Sequence, residues 1–121
     1  EHQIAEVQGL HERMVEMSPT ADPVDFFTTD MAFHRAIVLA AGNGPLTETH
    51  QHYNTRLWRA RFLTSSVMKD RARVLAQHGE VAAALVRRDG PTVSATLRDH
   101  LAHGLRNITA IYERGLRVPG Q

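Results

Sequence analysis

The chain has 121 residues, 42% of them hydrophobic and 22% charged, with a formal net charge of +1 and no cysteine. This size predicts one domain with its own core, and without cysteine any metal must use His, Asp or Glu as ligands. The charged residues are scattered and form no basic stripe of the kind that nucleic-acid-binding domains carry. No apolar run is long enough for a transmembrane helix and the N-terminus has no signal-peptide pattern, so we expect a cytoplasmic protein without membrane contacts.

Apolar residues recur at steps of three and four along the chain, and this spacing predicts an all-α protein. The first three helices are expected over about 2–17, 23–41 and 45–64. Asp22-Pro23 is typical of a helix N-cap followed by proline in the first turn. Gly42-Asn43-Gly44 is typical of a helix end, because glycine and asparagine tolerate positive φ.

Two further helices are expected over about 68–88 and 91–115, after a break at Thr64-Ser65-Ser66. Short connections predict an antiparallel bundle of about five helices. We expect one domain over 1–117 and a tail over 118–121. The apolar residues of the last helix are expected to face the core: Val93, Leu97, Leu101, Leu105, Ile108 and Ile111.

A carboxylate and an imidazole, those of Asp30 and His34, lie four residues apart in the second predicted helix, so they share one face of it. His78 and His100 follow on the fourth and fifth predicted helices, close to apolar residues that are expected to face the interior. Ionisable groups aimed at a bundle interior need partners, because desolvating them is costly. Three imidazole nitrogens and one carboxylate oxygen would suit a divalent ion, with zinc the first choice and nickel, manganese or iron as alternatives.

Each of these residues can also be explained without a bound metal. An Asp/His pair at this spacing is common on solvated helix faces, and a single histidine is more often exposed or capped than bound to a metal. His50, His52 and His103 could each take the place of one of the four, and His103 also forms a helical pair with His100. The spacing alone therefore leaves the ligand set open.

Two longer motifs resemble those of a known family. The first motif resembles the DxxFHxxI…AAGN segment of the FadR-type C-terminal domain (FCD). It consists of Asp30-Met31-Ala32-Phe33-His34-Arg35-Ala36-Ile37, followed by Ala40-Ala41-Gly42-Asn43. The second motif resembles that family's EHxxIxxAIxxGDxxxAxxxMxxHL pattern. It extends from Gln77-His78-Gly79-Glu80 through Arg88-Asp89-Gly90 to Arg98-Asp99-His100-Leu101. The FCD domain is the effector-binding domain of GntR-type bacterial transcription regulators, and the resemblance extends over most of the chain.

The resemblance implies that Asp30, His34, His78 and His100 bind a divalent metal, and that the effector is a small carboxylate such as a hydroxy acid, a sugar acid or a citrate-like compound. It also implies a sensor without catalytic activity. In the parent regulators, effector binding would alter DNA binding by a winged helix-turn-helix domain, which this sequence does not contain. Parent regulators of this kind are expected to form homodimers.

The third predicted helix is expected to supply the contacts to the effector. Arg56 resembles the position at which related domains place an inward-facing arginine, and its guanidinium fork would suit a carboxylate. Asn54, or alternatively Tyr53, is expected to add a hydrogen bond. Arg59 and Arg61 are the weaker candidates, because all three arginines could equally form a solvated face.

Two positions depart from the family pattern: Gln77 stands where glutamate is usual, and Gly79 lies in the middle of a predicted helix. Two other classes of protein remain as alternatives, a small metal-dependent hydrolase or lyase and a metal-free helical interaction module. An enzyme of the first kind would need a general base beside the metal. Glu48 and Glu80 are the only glutamates in the middle of the chain, and the sequence assigns neither of them to the site.

Overall fold

The computed structural model of the chain describes residues 2–17, 20–68 and 71–115, which form five α-helices and no strand. The all-α prediction is therefore confirmed, whereas the predicted tail over 118–121 lies outside the described residues. The helices are α1 (His2–Met17), α2 (Pro23–Ala40), α3 (Gly44–Met68), α4 (Arg71–Val86) and α5 (Gly90–Glu113). None of the described helices is long and apolar enough to cross a membrane.

The helix boundaries follow local signals in the sequence. Asp22 caps α2, because its carboxylate accepts a hydrogen bond from the backbone N–H of Val24 at 2.7 Å. Asp89 caps α5 in the same way, by accepting a hydrogen bond from the backbone N–H of Thr92 at 3.1 Å. Gly42 has a φ of +67°, so the predicted left-handed residue after α2 is confirmed.

The predicted break at Thr64-Ser65-Ser66 is wrong, because α3 continues through these residues. The hydroxyl of Thr64 donates to the carbonyl of Ala60 at 2.7 Å, and the hydroxyl of Ser66 donates to the carbonyl of Phe62 at 3.0 Å. A hydroxyl that bonds back to a carbonyl one turn earlier is satisfied within the helix. A run of small polar residues is therefore compatible with a continuous helix at this point.

The five helices pack in a closed ring. In spatial order, α1 contacts α2, α2 contacts α3, α3 contacts α5, α5 contacts α4, and α4 returns to α1. Within the described residues, the backbone of α2 does not contact that of α4 or α5. Side chains must therefore make the connection between α2 and these two helices across the centre of the ring.

The core lies mainly between α1, α2 and α4. Apolar residues from these helices are almost completely buried and contact one another, as expected for amphipathic helices that turn their apolar faces inward. The members of this cluster are Val7, Met14, Phe26, Phe33, Ala36, Val81 and Ala82. The core therefore lies to one side of the ring, and α3 contributes none of its fully buried members.

Two apolar residues of α5 contradict the prediction that they face the core. Leu101 and Leu105 are 56% and 65% exposed. They line a cavity that α5 shares with α3, together with Leu57, which is 47% exposed. The apolar stripe of α5 is divided, because Ile111 is buried while Leu101 and Leu105 border open space.

Candidate metal centre

The second helix positions a buried carboxylate and a buried imidazole on its inner face. Phe26, Asp30 and Phe33 recur at steps of four and three residues, so they share one face of α2, and His34 lies one turn beyond Asp30. The two phenylalanines belong to the core, and Asp30 and His34 are only 9% and 7% exposed. The packing of α2 therefore turns both polar side chains toward the centre of the ring.

Side chains from three helices meet at this point. The Oδ1 atom of Asp30 lies 3.3 Å from Nε2 of His34 and 3.3 Å from Nε2 of His78. Nε2 of His100 lies 3.3 Å from Nε2 of His34. The structure thus brings together the four residues that the sequence singles out, from α2, α4 and α5. Their role as metal ligands stays a prediction.

The spacing of these atoms suits a single divalent ion. Ligand atoms that lie about 2.1 Å from a zinc ion are roughly 3.0–3.4 Å apart at octahedral or tetrahedral angles. The candidate ligand atoms of His34, His78 and His100 all lie within 4.8 Å of one another. Small movements of the rings would bring all of them to bonding distance, so the group could hold a metal ion.

Two of the converging atoms have no hydrogen-bond partner. Asp30 Oδ1 and His78 Nε2 are buried and form no hydrogen bond, although they lie 3.3 Å apart. Buried polar atoms without partners are rare, because each has lost its hydrogen bonds to water. A cation bound between them would offset that loss for both atoms. This observation favours a metal ion over a purely structural cluster.

Burial also controls the protonation of the group. Burial, with the nearby His34 and His100, lowers the pKa of His78 to about 3, although Asp30 opposes the shift. Burial and His34 lower the pKa of His100 to about 4, again against Asp30. Burial alone would raise the pKa of Asp30, but the neighbouring imidazoles outweigh it and lower the pKa. At neutral pH Asp30 therefore offers a carboxylate, and His78 and His100 offer neutral imidazoles, which are the forms that bind metals.

Two further residues hold the rings in place. The Oε1 atom of Gln77 accepts a hydrogen bond from Nδ1–H of His100 at 2.7 Å, which leaves Nε2 of that ring free to face the centre. Phe33 stacks on His78, with ring centroids 4.1 Å apart and an interplanar angle of 6°. Gln77 departs from the family pattern, yet it supplies the acceptor that a glutamate would supply, without the negative charge.

The second departure, Gly79, lies where α1 approaches α4. A Cβ atom at this position would be 3.0 Å from Nε2 of His11, so the His11 ring lies directly against the glycine. Any larger residue would have to displace that ring. The mid-helix glycine is therefore explained by close packing between α1 and α4.

The other histidines weighed as ligands lie outside the group. His50 is on α3, where burial and then His34 lower its pKa. His103 contacts the side-chain amide one turn further along α5, at 3.2 Å. His52 is exposed and packs edge-on against its neighbour Tyr53. None of these three residues belongs to the set of converging nitrogen atoms in the described part of the chain.

A cavity of about 270 Å³ adjoins the group between α3 and α5. Asp30 and His100 lie in its wall, and so does Arg61. The guanidinium of Arg61 donates a hydrogen bond to Oδ1 of Asn54 at 2.8 Å. Burial lowers the pKa of Arg61 and Asp30 opposes the shift, but arginine starts so far above neutrality that it stays charged. The cavity therefore combines candidate metal ligands with a permanent cation.

Arg56 lies apart from this cavity. It is exposed on α3 and lines an open hollow with Glu48 and Thr55. Asn54 is partly buried and is connected to the cavity through its hydrogen bond with Arg61. The effector-binding roles of Arg56 and Asn54 stay predictions, but the geometry favours Arg61, which the sequence ranks lower.

Helical spacing along α3 is a signal that could have identified Arg61. Asn54, Leu57, Arg61 and Thr64 recur at steps of three and four residues, so they share one face. The last three of these residues line the cavity. Arg56 is five residues before Arg61, and that separation places it on a different face of the helix.

The two glutamates considered as general bases also lie outside the cavity. Glu48 and Glu80 line two separate surface hollows, and neither lines the cavity that contains Asp30 and His100. A general base must lie within hydrogen-bond reach of the proton that it removes. The geometry therefore assigns no such role to Glu48 or Glu80.

Fold and site together define an all-α domain in which a buried polar centre adjoins a cavity of small-molecule size. The family model of the FCD domain matches residues 1–103. The chain therefore belongs to the FCD domain family and is a ligand-sensing regulatory domain. No curated protein and no solved structure matches the chain.

Proposed function

We propose that the domain binds one divalent metal ion through Asp30, His34, His78 and His100, and senses a small carboxylate effector in the adjoining cavity. The observation that carries the proposal is the convergence of a carboxylate oxygen and three imidazole nitrogens beside a half-buried arginine, Arg61. Zinc is our first choice, and nickel, manganese or iron suit the same donor set. When bound, the ion would supply a Lewis acid that attracts an effector oxygen.

Some residues of the site supply charge or donor atoms, and others fix the orientation of the imidazole rings. Asp30 supplies negative charge to balance a cation, and the imidazoles supply further donor nitrogens without adding negative charge. Gln77 orients His100, and Phe33 orients His78. Arg61 lies in the cavity wall, where it would bind the effector carboxylate through charge-assisted hydrogen bonds.

Effector binding would change the packing of the ring. Arg61 lies on α3, while the candidate ligands lie on α2, α4 and α5, so an effector held at both places would connect α3 to the other three helices. In a GntR-type regulator that forms a homodimer, that change would reposition the attached DNA-binding domains. Coupling between two such sites typically amounts to about 1–3 kcal/mol.

Replacing Arg61 tests the effector site. In the zinc-loaded chain, Arg61→Met should weaken lactate binding by about 10–100-fold, because a hydrogen bond to a charged group contributes roughly 1.5–3 kcal/mol. Isothermal titration calorimetry would measure the change. Arg56→Met is the matched control and should bind lactate about as well as the parent chain does.

The same titration can contradict the proposal in two ways. An equal loss in both arginine variants, or a loss in Arg56→Met alone, would remove the specific role of Arg61. No binding of lactate, gluconate or citrate by the zinc-loaded parent chain would contradict carboxylate sensing itself.

Replacing Gln77 tests the orientation of His100. Gln77→Leu removes the acceptor for Nδ1–H and should weaken zinc binding by about 10–100-fold, as is typical when a residue that orients a metal ligand is lost. Gln77→Glu keeps the acceptor and adds a negative charge, so it should bind zinc more tightly than the parent chain. Competition with a chromophoric chelator measures both changes.

The exposed Gln3 provides a control, because Gln3→Leu changes the same functional group on α1, a helix that contributes none of the four candidate ligands. Its zinc affinity should equal that of the parent chain. If Gln77→Leu also binds zinc with the parent affinity, the hydrogen bond to His100 has no part in metal binding.

A further inference from the structure

We propose that the effector is an amphipathic monocarboxylate whose apolar body occupies the α3–α5 side of the cavity, with Gly104 providing the space for it. This inference rests on the proposed function and specifies its ligand. It excludes polycarboxylates and sugar acids as the preferred class. Three features of the cavity wall support it, namely its charges, its apolar lining and Gly104.

The first observation is that the cavity has a single permanent cation among the described residues of its wall, Arg61. Two of the other polar side chains already have partners. The hydroxyl of Thr64 donates to the carbonyl of Ala60 at 2.7 Å, and His103 contacts the Asn107 amide at 3.2 Å. One carboxylate held between the proposed metal ion and Arg61 uses both cationic groups of the wall, whereas a second or third would be desolvated without a charged partner.

The second observation is the apolar part of the cavity lining. Leu57 of α3 and Leu101 and Leu105 of α5 are 47%, 56% and 65% exposed, and all three line the cavity with Ile108. Covering such side chains with ligand methylene groups is favourable, since each buried methylene improves affinity by about threefold to fourfold. Sugar acids would place hydroxyl groups against these leucines and would gain nothing from them.

The third observation concerns Gly104, which lies between Leu101 and Leu105 in the middle of α5 and lines the cavity. Glycine is a poor helix former, so a glycine inside a helix normally has a packing reason. At Gly104 there is none, because a Cβ atom there would meet nothing within 4 Å. The missing side chain instead leaves open space beside the apolar wall of the cavity.

The size of the cavity limits the ligand. A volume of about 270 Å³ lies just below the range of roughly 300–1,000 Å³ that is usual for ligand pockets. A carboxylate with a short aliphatic or phenyl group suits that volume. The inferred class is therefore a hydroxy acid or simple acid with an apolar body, and not a long-chain lipid.

A homologous series of ligands tests the inference on the full chain loaded with zinc. We would titrate lactate, 2-hydroxyhexanoate, 2-hydroxyoctanoate, gluconate and citrate by calorimetry. The affinity should rise by about threefold for each methylene added between lactate and 2-hydroxyoctanoate. Gluconate and citrate should bind no more tightly than lactate.

Filling the space beside Gly104 separates cavity binding from unspecific adsorption. Gly104→Leu should abolish the gain in affinity from the longer chain, because the leucine side chain would occupy the space that the added methylene groups need. Gly9→Leu is the matched control, since Gly9 is also within a helix and has nothing within 4 Å of its Cβ position. This control should show the same dependence on chain length as the parent chain.

The outcomes distinguish failure of the inference from failure of the proposed function. Lactate binding without any gain from chain length, or tighter binding of citrate or gluconate, would overturn the inference and leave carboxylate sensing intact. Failure of every compound to bind would reject both. Self-association that Leu105→Asp abolishes, combined with no dependence on chain length, would assign the exposed leucines to a second copy of the chain.

Discussion

Purified without added metal and without a histidine tag, the chain should contain about one equivalent of a transition metal, and a His34→Ala/His78→Ala variant should contain none. Removing these two imidazoles leaves Asp30 and His100, which cannot complete a tetrahedral site. Elemental mass spectrometry measures the metal content directly. A variant with two exposed histidines replaced, His2→Ala/His52→Ala, keeps the group intact and should retain the metal.

The same metal should stabilise the fold, because its candidate ligands come from α2, α4 and α5 and the backbone of α2 contacts neither of the other two. A ligand that binds only the folded state adds roughly 4 kcal/mol at a free concentration of about 1,000 times its Kd. Zinc should therefore raise the melting temperature of the parent chain and of the His2/His52 control, and chelation should reverse the rise.

Two results would contradict this expectation. Metal retained by the His34→Ala/His78→Ala variant would show that other residues bind it. A parent chain that contains no metal, and whose melting temperature does not respond to zinc, would reduce the four residues to a buried polar cluster.

Replacing Phe33 by alanine should lower the free energy of unfolding by about 3–5 kcal/mol, the usual cost of removing a phenylalanine from a core. Phe33 is fully buried, it belongs to the main apolar cluster, and it stacks on His78. The substitution should also weaken zinc binding, because the His78 ring loses the surface that holds its orientation. Urea denaturation with and without zinc measures both effects.

Tyr112→Ala is the matched control, because Tyr112 is an aromatic residue that is 70% exposed. Its free energy of unfolding should change by no more than about 0.5 kcal/mol. If Phe33→Ala costs less than about 1 kcal/mol, then the packing between α2 and α4 does not depend on this ring in the way that its burial indicates.

The helices and the four residues of the candidate centre could be predicted from the sequence because their signals are local or belong to a recognisable motif. Asp22 and Asp89 cap helices through contacts with residues two and three positions away. A separation of four residues places Asp30 and His34 on one face of the helix, and this does not depend on how the helices pack. The assignment of His78 and His100 as candidate ligands depends on the resemblance, since periodicity alone leaves His50, His52 and His103 as alternatives.

Only the tertiary structure decided which surfaces meet. Arg61 rather than Arg56 lies in the cavity wall, and Leu101 and Leu105 border that cavity instead of the core. These features depend on how α3 and α5 pack side by side in the ring, and the two helices are far apart in the sequence. Periodicity identifies the apolar face of a helix, but the element that covers this face is decided by the packing of all five helices together.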